Sequence, residues 1–343
     1  MKWVILLAAA TAFAKTPSTP PPAQPEWDAD LFKRDEQVFS SHLEFLYWTV
    51  QEGGLDYAIK MRGPASSSGS NNYAQGKFEN STYNIDPGFR VAMSYFRASR
   101  LWEMWGMYTR LTSYGHSNAG KPTPSTEFIT GTWPQILTAD LAGAETSLHL
   151  NYNVADLLVD RYFNPNPHLR LRLIAGLTGA WMDQNWTIRY FDSVPNTTMV
   201  RSRWSYGGAG LRFGLMADWY WMANIYVTGR ATFAALTGHY RNRTKQTSSQ
   251  SVGGSNPAIP LRNGDYTDTR IATNVQVLIG PSYQKSFCHT RMEFFVGYEL
   301  TGWVNLQEIY RSTSGTASAS KETLINSSLL SLQGLTARLT FDY

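Results

Sequence analysis

The chain has 343 residues and a formal net charge of +4, yet only 16% of them are Asp, Glu, Lys or Arg, against about 25% in an average soluble domain. With 43% hydrophobic residues it is too apolar for intrinsic disorder, and its small positive balance is far from that of a nucleic-acid binder. After the amino terminus no run of about 18 apolar residues occurs, which excludes helical membrane spans. The 12 Trp, 19 Tyr and 27 Gly favour strands over helices.

At the amino terminus, Met1-Lys2, the apolar segment Trp3 to Ala10 and the small-x-small site Ala12-Phe13-Ala14 read as a secretory signal peptide over 1–14. A Pro-rich, polar periplasmic segment is expected over 15–38, followed by a single β domain over 39–343. Cys288 is the only cysteine, so no internal disulfide can form and a free thiol is expected.

From residue 39 onward the dominant pattern is alternation with period two, the mark of strands with two unlike faces. Strands are predicted near 40–60, 85–96, 102–113, 145–162, 168–190, 202–217, 223–237, 268–283, 290–305 and 333–343. The last is the cleanest: Leu335, Ala337, Leu339, Phe341 and Tyr343 share one face, and Thr336, Arg338, Thr340 and Asp342 the other. Connections alternate between short ones, such as Asn164 to Pro167 and Asp218 to Met222, and long polar ones, such as Gly238 to Tyr266 and Arg311 to Leu332. Long strands, one-sided long loops and Trp or Tyr near strand ends (Trp102, Trp105, Trp181, Trp186, Trp204, Trp219, Tyr220, Trp221, Trp303) distinguish an outer-membrane barrel from a soluble sandwich.

Unpaired strand edges in lipid would each cost several kcal/mol, so the sheet must close. The fold expected is therefore all-β: a closed antiparallel transmembrane barrel of about ten strands, with short periplasmic turns and long extracellular loops. A further hairpin within Glu127 to Leu141 would make about twelve. Gly115 to Thr132 is the candidate for a segment folding into the mouth.

If the apolar rows face lipid, Arg170, Arg172, Arg212, Arg230 and Arg338 point into the lumen, because Arg facing lipid near the midplane costs about 2–4 kcal/mol. Their field would favour anions weakly. Pairing with lumen carboxylates such as Glu293 and Glu299 would instead leave a neutral, packed interior. At Asp156 and Asp160 the pattern breaks: continuing the lipid-facing parity of Leu148, Leu150, Tyr152 and Val154 would aim both acids at lipid. This calls for a bulge or a strand that has already left the hydrocarbon.

Several segments resemble the major-outer-membrane-protein-like pore-forming family of Legionella and the environmental chlamydiae. They are Leu43 to Trp48 with Gly54 to Ala58, Leu150 to Leu157, Gly176 to Gln184 and Leu332 to Thr336, recurring in order along nearly the whole mature chain. The resemblance implies passive diffusion of small hydrophilic solutes through the barrel, without a cofactor. Tyr343 stands where Phe is commoner as the last residue, but an aromatic there still suits the barrel-assembly machinery, whose signal would lie in Leu335, Leu339, Phe341 and Tyr343. A single cysteine departs from the crosslinked porins of pathogenic chlamydiae.

No spacing of Cys or His suggests zinc, and no Gly-rich loop suggests a phosphate site. His149 lies well inside a strand, on a parity expected to face the lumen, and no catalytic group is expected. The sequence thus points to an outer-membrane porin in contact with lipid, assembly machinery and small solutes, with a homotrimer as the oligomer to test for and no nucleic-acid partner. The alternative is a structural or adhesive barrel whose lumen is filled by side chains.

Overall fold

The computed structural model describes residues 37–62, 75–123, 127–133, 141–192, 196–222, 224–249, 258–287, 290–312 and 322–343. The expected signal peptide, Cys288 and His289 lie outside them. Ten strands form the wall: β1 (Gln37–Glu52), β4 (Ile85–Arg97), β5 (Trp102–Gly120), β7 (Leu141–Asn166), β8 (Leu169–Asp192), β9 (Thr197–Met222), β10 (Ile225–Ser249), β11 (Ala258–Phe287), β12 (Thr290–Ser312) and β13 (Glu322–Asp342). Each pairs antiparallel with its neighbours, and β1 pairs with both β4 and β13, which closes the barrel. The expected closed ten-strand barrel is what the chain forms.

The connections 98–101, 167–168, 223–224 and 288–289, none longer than four residues, share one end, which orients that end toward the periplasm. On the outer surface of the periplasmic half runs an apolar band. Phe39, Leu43, Phe45 and Tyr47 on β1, Leu173 and Leu177 on β8, Leu211, Phe213 and Leu215 on β9, and Val275, Val277 and Ile279 on β11 are all exposed there. From Phe39 to Tyr47 is nine residues, the length a tilted strand needs to cross the hydrocarbon. Trp219 and Trp221 project at its periplasmic margin and Trp181 at its upper margin, where amphipathic rings meet headgroups. Trp105, Trp186, Trp204 and Trp303 belong to the interior instead.

The strands continue well beyond this band, and here the structure corrects several sequence-based boundaries. Gly238 to Tyr266, expected as a loop, is mostly wall: β10 runs to Ser249 and β11 starts at Ala258. The expected strand at 40–60 ends at Glu52. The chain turns through Gly54, whose φ of 78° suits glycine, and re-emerges as β2 (Asp56–Arg62). With β3 (Gln75–Asn80) and β6 (Phe128–Gly131), β2 forms a separate three-stranded sheet. The extra hairpin considered at Glu127 to Leu141 therefore adds no wall strand among the described residues; its first part joins the small sheet.

That sheet and its flanks pack on the upper inner wall. Leu55, Tyr57, Ala58, Tyr83, Ile129 and Trp133 form one apolar core with Leu148, Leu150, Trp186, Ile188, Tyr190 and Trp303. Hydrogen bonds fix the contact: the Tyr190 hydroxyl donates to the Tyr57 carbonyl at 2.6 Å, and Trp186 Nε1 to Thr146 Oγ1 at 2.8 Å and Ser81 Oγ at 3.2 Å.

Leu148, Leu150, Tyr152 and Val154 thus face inward, not lipid as expected. Asp156 and Asp160 continue the same inward parity with no bulge, in unbroken register with β5 and β8. Sequence alone cannot tell an apolar row facing lipid from one facing a packed interior. In β12 a bulge at Val304 to Leu306 breaks the pairing register with β13. Asn305 occupies the left-handed region there, with φ 59°, and its side chain donates to the Ile271 carbonyl at 2.9 Å.

Candidate functional site: the charged belt of the lumen

Within the apolar band most charged and polar side chains take the inward parity, beside a small apolar cluster of Ala92, Met107, Leu158, Ile174 and Met216, because charge cannot face lipid. The result is a belt of charges on facing strands. Arg90 on β4 is its hub: it donates to Glu44 Oε2 at 2.5 Å, to both oxygens of Glu299 at 2.8 and 3.1 Å, and to Thr109 Oγ1 at 2.8 Å. Gln276 and Thr336 also donate to Glu299, the latter at 2.9 Å. Trp48, just above, lies 5.5 Å from the Arg90 guanidinium and donates to Thr336 Oγ1 at 3.1 Å.

All seven sequence-predicted lumen residues lie inside the barrel. Arg338 pairs with Glu293 at 2.7 Å and approaches Glu44 at 3.9 Å, over the Phe295 ring. Arg212 reaches Asp156 at 2.9 Å, Thr232 at 2.9 Å and Gln276 at 3.1 Å. Arg230 sits 3.7 Å from Glu299. Nearer the periplasm, Arg172 binds Asp218 at 2.7 Å, and Arg170 lies between the rings of Tyr162 and Tyr220 at 5.6 and 5.8 Å. Leu335, Leu339 and Phe341 lie on the outward row of β13, beside β1, and Tyr343, the residue after β13, meets Ser41 Oγ through its hydroxyl at 2.9 Å.

Further residues complete the belt: Glu44, Arg90, Glu103, Asp218 and Arg291, missed in the sequence, Asp156 and Asp160, expected at a bulge or past the hydrocarbon, and Asp342, expected on the polar face of the last strand, all buried or nearly so. The alternation rule could have found several. Glu44 stands between Leu43 and Phe45, and Arg90 between Phe89 and Val91, each a charged residue in an otherwise apolar run. With these acids interleaved, the net positive field expected from the arginines alone is not realised. Burial of a charge is costly unless it is paired and hydrogen-bonded, and here the pairing is made across the lumen.

Among the described residues, small cavities interrupt the belt. One of about 30 Å³ is lined by His42, Glu103, Arg172, Glu293, Arg338 and Asp342; one of about 20 Å³ lies between Asp160, Met216, Arg230 and Thr232. Such volumes hold one or two waters each. Above the belt the interior turns apolar and meets the small sheet. His149 lies on the outward parity of β7, above the apolar band, stacked on exposed Tyr114 with ring centroids 4.7 Å apart; it does not face the lumen as expected. Among the described residues, no group of three or more His, Cys, Asp or Glu could hold a metal ion.

A closed antiparallel barrel with an outward apolar band and a charged interior defines a transmembrane barrel of the bacterial outer membrane. The sequence profile described as Legionella pneumophila major outer membrane protein precursor matches residues 34–343, and the chain belongs to that family. No curated protein matches it. Among solved structures, it is similar to the outer membrane protease OmpT of Escherichia coli (10% identity, 89% of this chain and 96% of that one, TM-score 0.41). It is also similar to the Pseudomonas putida toluene transporter TodX (9% identity, 93% and 91%, TM-score 0.24) and to a Pseudomonas aeruginosa FadL homologue (7% identity, 90% of each chain, TM-score 0.25).

Proposed function

We propose that the protein is a narrow outer-membrane pore for passive diffusion of water, ions and small hydrophilic solutes, with the charged belt as its constriction. One observation carries this reading: the same barrel packs its upper interior mainly with apolar side chains but gathers most of its buried ionisable groups at membrane level. Buried ion pairs are poor stabilisers, often matched or bettered by apolar residues of similar volume, and ionisable groups inside a membrane segment commonly mark a path for ions or solutes. The belt is held by side chains, so rotamer changes can rejoin its water-sized cavities without breaking the wall. Because acids and arginines are interleaved, the expected preference for anions is small. On this reading the chain is not an enzyme.

A specific observation supports a second reading, a structural barrel with a permanently filled lumen: the small sheet is anchored on the wall by Tyr190 and Trp186. Reconstitution into planar bilayers separates the two. A pore gives stepwise conductance, with reversal potentials near zero under a salt gradient. Absence of steps, together with no swelling of proteoliposomes in small sugars, would establish the filled barrel.

A further inference from the structure

Above the apolar band, the outer wall carries a block of positive charge that the pore has no use for. In the register of β9 and β10, Arg203 stands directly opposite Arg243, and Arg201 directly opposite Lys245. All four side chains point outward and are exposed, with Arg241 two residues below Arg243 on the same face. Like charges directly opposite on a sheet destabilise it, so two consecutive like pairs need another explanation than folding.

One carboxylate serves the block. Asp265 on β11 pairs with Arg241 at 2.6 Å and Arg243 at 3.3 Å, and the Arg241 hydrogen bond holds its carboxyl below the ordinary carboxylate range. Among the described residues no acid pairs with Arg201, Arg203 or Lys245. Their outward neighbours Asn185 and Thr187 on β8 and Asn263 on β11 are neutral hydrogen-bonding groups.

The height of the block indicates its partner. Arg203 lies eight residues above Leu211, the last large apolar side chain below it on the outward row of β9. At about 3.3 Å per residue and a tilt of about 40°, that places it about 20 Å above Leu211, and about 10 Å above Gly207, which pairs with Trp181 at the upper margin of the band, on the cell exterior. In the outer leaflet of a bacterial outer membrane, this level is occupied by the acidic sugars of the membrane glycolipid, not by acyl chains.

We propose that this face of β9 and β10 binds the phosphorylated saccharide of outer-leaflet lipopolysaccharide. The arginine forks match phosphate oxygens two at a time, Lys245 adds a point charge, and the flanking Asn and Thr suit sugar hydroxyls. Free anions gain little from so exposed a site, because each contact is screened within about 8 Å at physiological salt. A glycolipid anchored beside the barrel meets it at high effective concentration.

The test uses the full barrel, purified in detergent free of lipopolysaccharide, and the triple variant R201Q/R203Q/K245Q, which leaves the Arg241, Arg243 and Asp265 group intact. Titration is with purified lipopolysaccharide, the same material dephosphorylated, and inorganic phosphate, reading bound glycolipid and melting temperature. The native chain is expected to bind lipopolysaccharide about tenfold more tightly than the variant, and dephosphorylated material equally poorly to both. Without ligand the variant melts at or above the native temperature, since repulsion has been removed; with lipopolysaccharide the order reverses. If the triple variant fails to refold, Arg203→Gln alone is expected to show the same ordering with a smaller shift. Equal binding by native and variant chains overturns the proposal. So does equal protection by inorganic phosphate at matched phosphate concentration, which would mark a free-anion site.

Discussion

On β8, Leu173 and Leu177 face outward while Arg172 and Thr178 face the lumen; farther up the same strand, Asn185 and Arg189 face outward while Trp186 and Ile188 face inward. The backbone alternation never changes, but its chemistry inverts. Below the crossover the strand obeys lipid, which tolerates no charge. Above it the strand stands in water and behaves like a soluble protein, with polar groups outside and an apolar core inside. The crossover lies near Val154 on β7, Ala180 on β8 and Leu332 on β13, where neighbouring buried side chains change from polar to apolar. The difference between the halves comes from the solvent outside the wall.

The largest expected effect comes from disturbing the lower interior at its hub. Replacing Arg90 with Ala removes the nearest cation from both Glu44 and Glu299 and leaves two buried carboxylates with only longer contacts to Arg338 and Arg230. Breaking a buried pair from one side costs about 3–5 kcal/mol, read as a lowered urea midpoint of the detergent-folded barrel or a failure to assemble. Loss of less than about 1 kcal/mol would mean that water reaches these acids freely and that the belt is wetter than its packing implies.

A sharper comparison holds the strand and the face constant and changes only height. Phe213→Arg on β9 puts a charge into the apolar band, at an expected cost of about 2–4 kcal/mol. Ser205→Arg, on the same outward row but above the band, stands between Asp183 and Arg241, so attraction and repulsion offset each other and the change is expected to stay within about 0.5 kcal/mol, as surface changes usually do. Equal costs at the two positions would show that the boundary of the membrane is misplaced along β9.

This inversion also explains what could be read from the sequence. The arginines at 170, 172, 212, 230 and 338 were legible as interior because their apolar neighbours in the band are unambiguous. The row Leu148 to Val154 was not, because an apolar row satisfies lipid and a packed interior equally well. Polar outward rows above the band made true wall look like loop: His239, Arg241, Arg243 and Lys245 alternate with Tyr240, Asn242 and Thr244, and the few apolar residues hide the period. The small sheet was illegible for a different reason. Its strands β2, β3 and β6 are separated in sequence and pair only through long-range contacts, which no local pattern encodes. Only its part near Thr132 was anticipated, as a segment folding into the mouth.

The smallest expected effect on the barrel as a whole concerns the seat of that sheet. Glu52 ends β1 above the apolar band, buried where the Gln184 amide and the Tyr83 hydroxyl, the latter at 3.4 Å, donate to its carboxylate. Burial pushes its carboxyl up from 4.5 to about 8. Between those values the seated sheet keeps a proton that a solvent-exposed glutamate would release, so unseating is linked to proton loss and becomes easier as pH rises. Seating is therefore strongest below about pH 4.5, weakens steadily toward pH 8 and changes little above it. Hydrogen exchange of Asp56–Arg62 against pH measures this directly: exchange should speed up over that window in the native chain, after correction for intrinsic rates, and lose most of its pH dependence in Glu52→Gln. The wall strands should show neither change. A native profile as flat as that of the variant would mean that Glu52 is already ionised in place, with a cation or water supplying what the apolar core denies it.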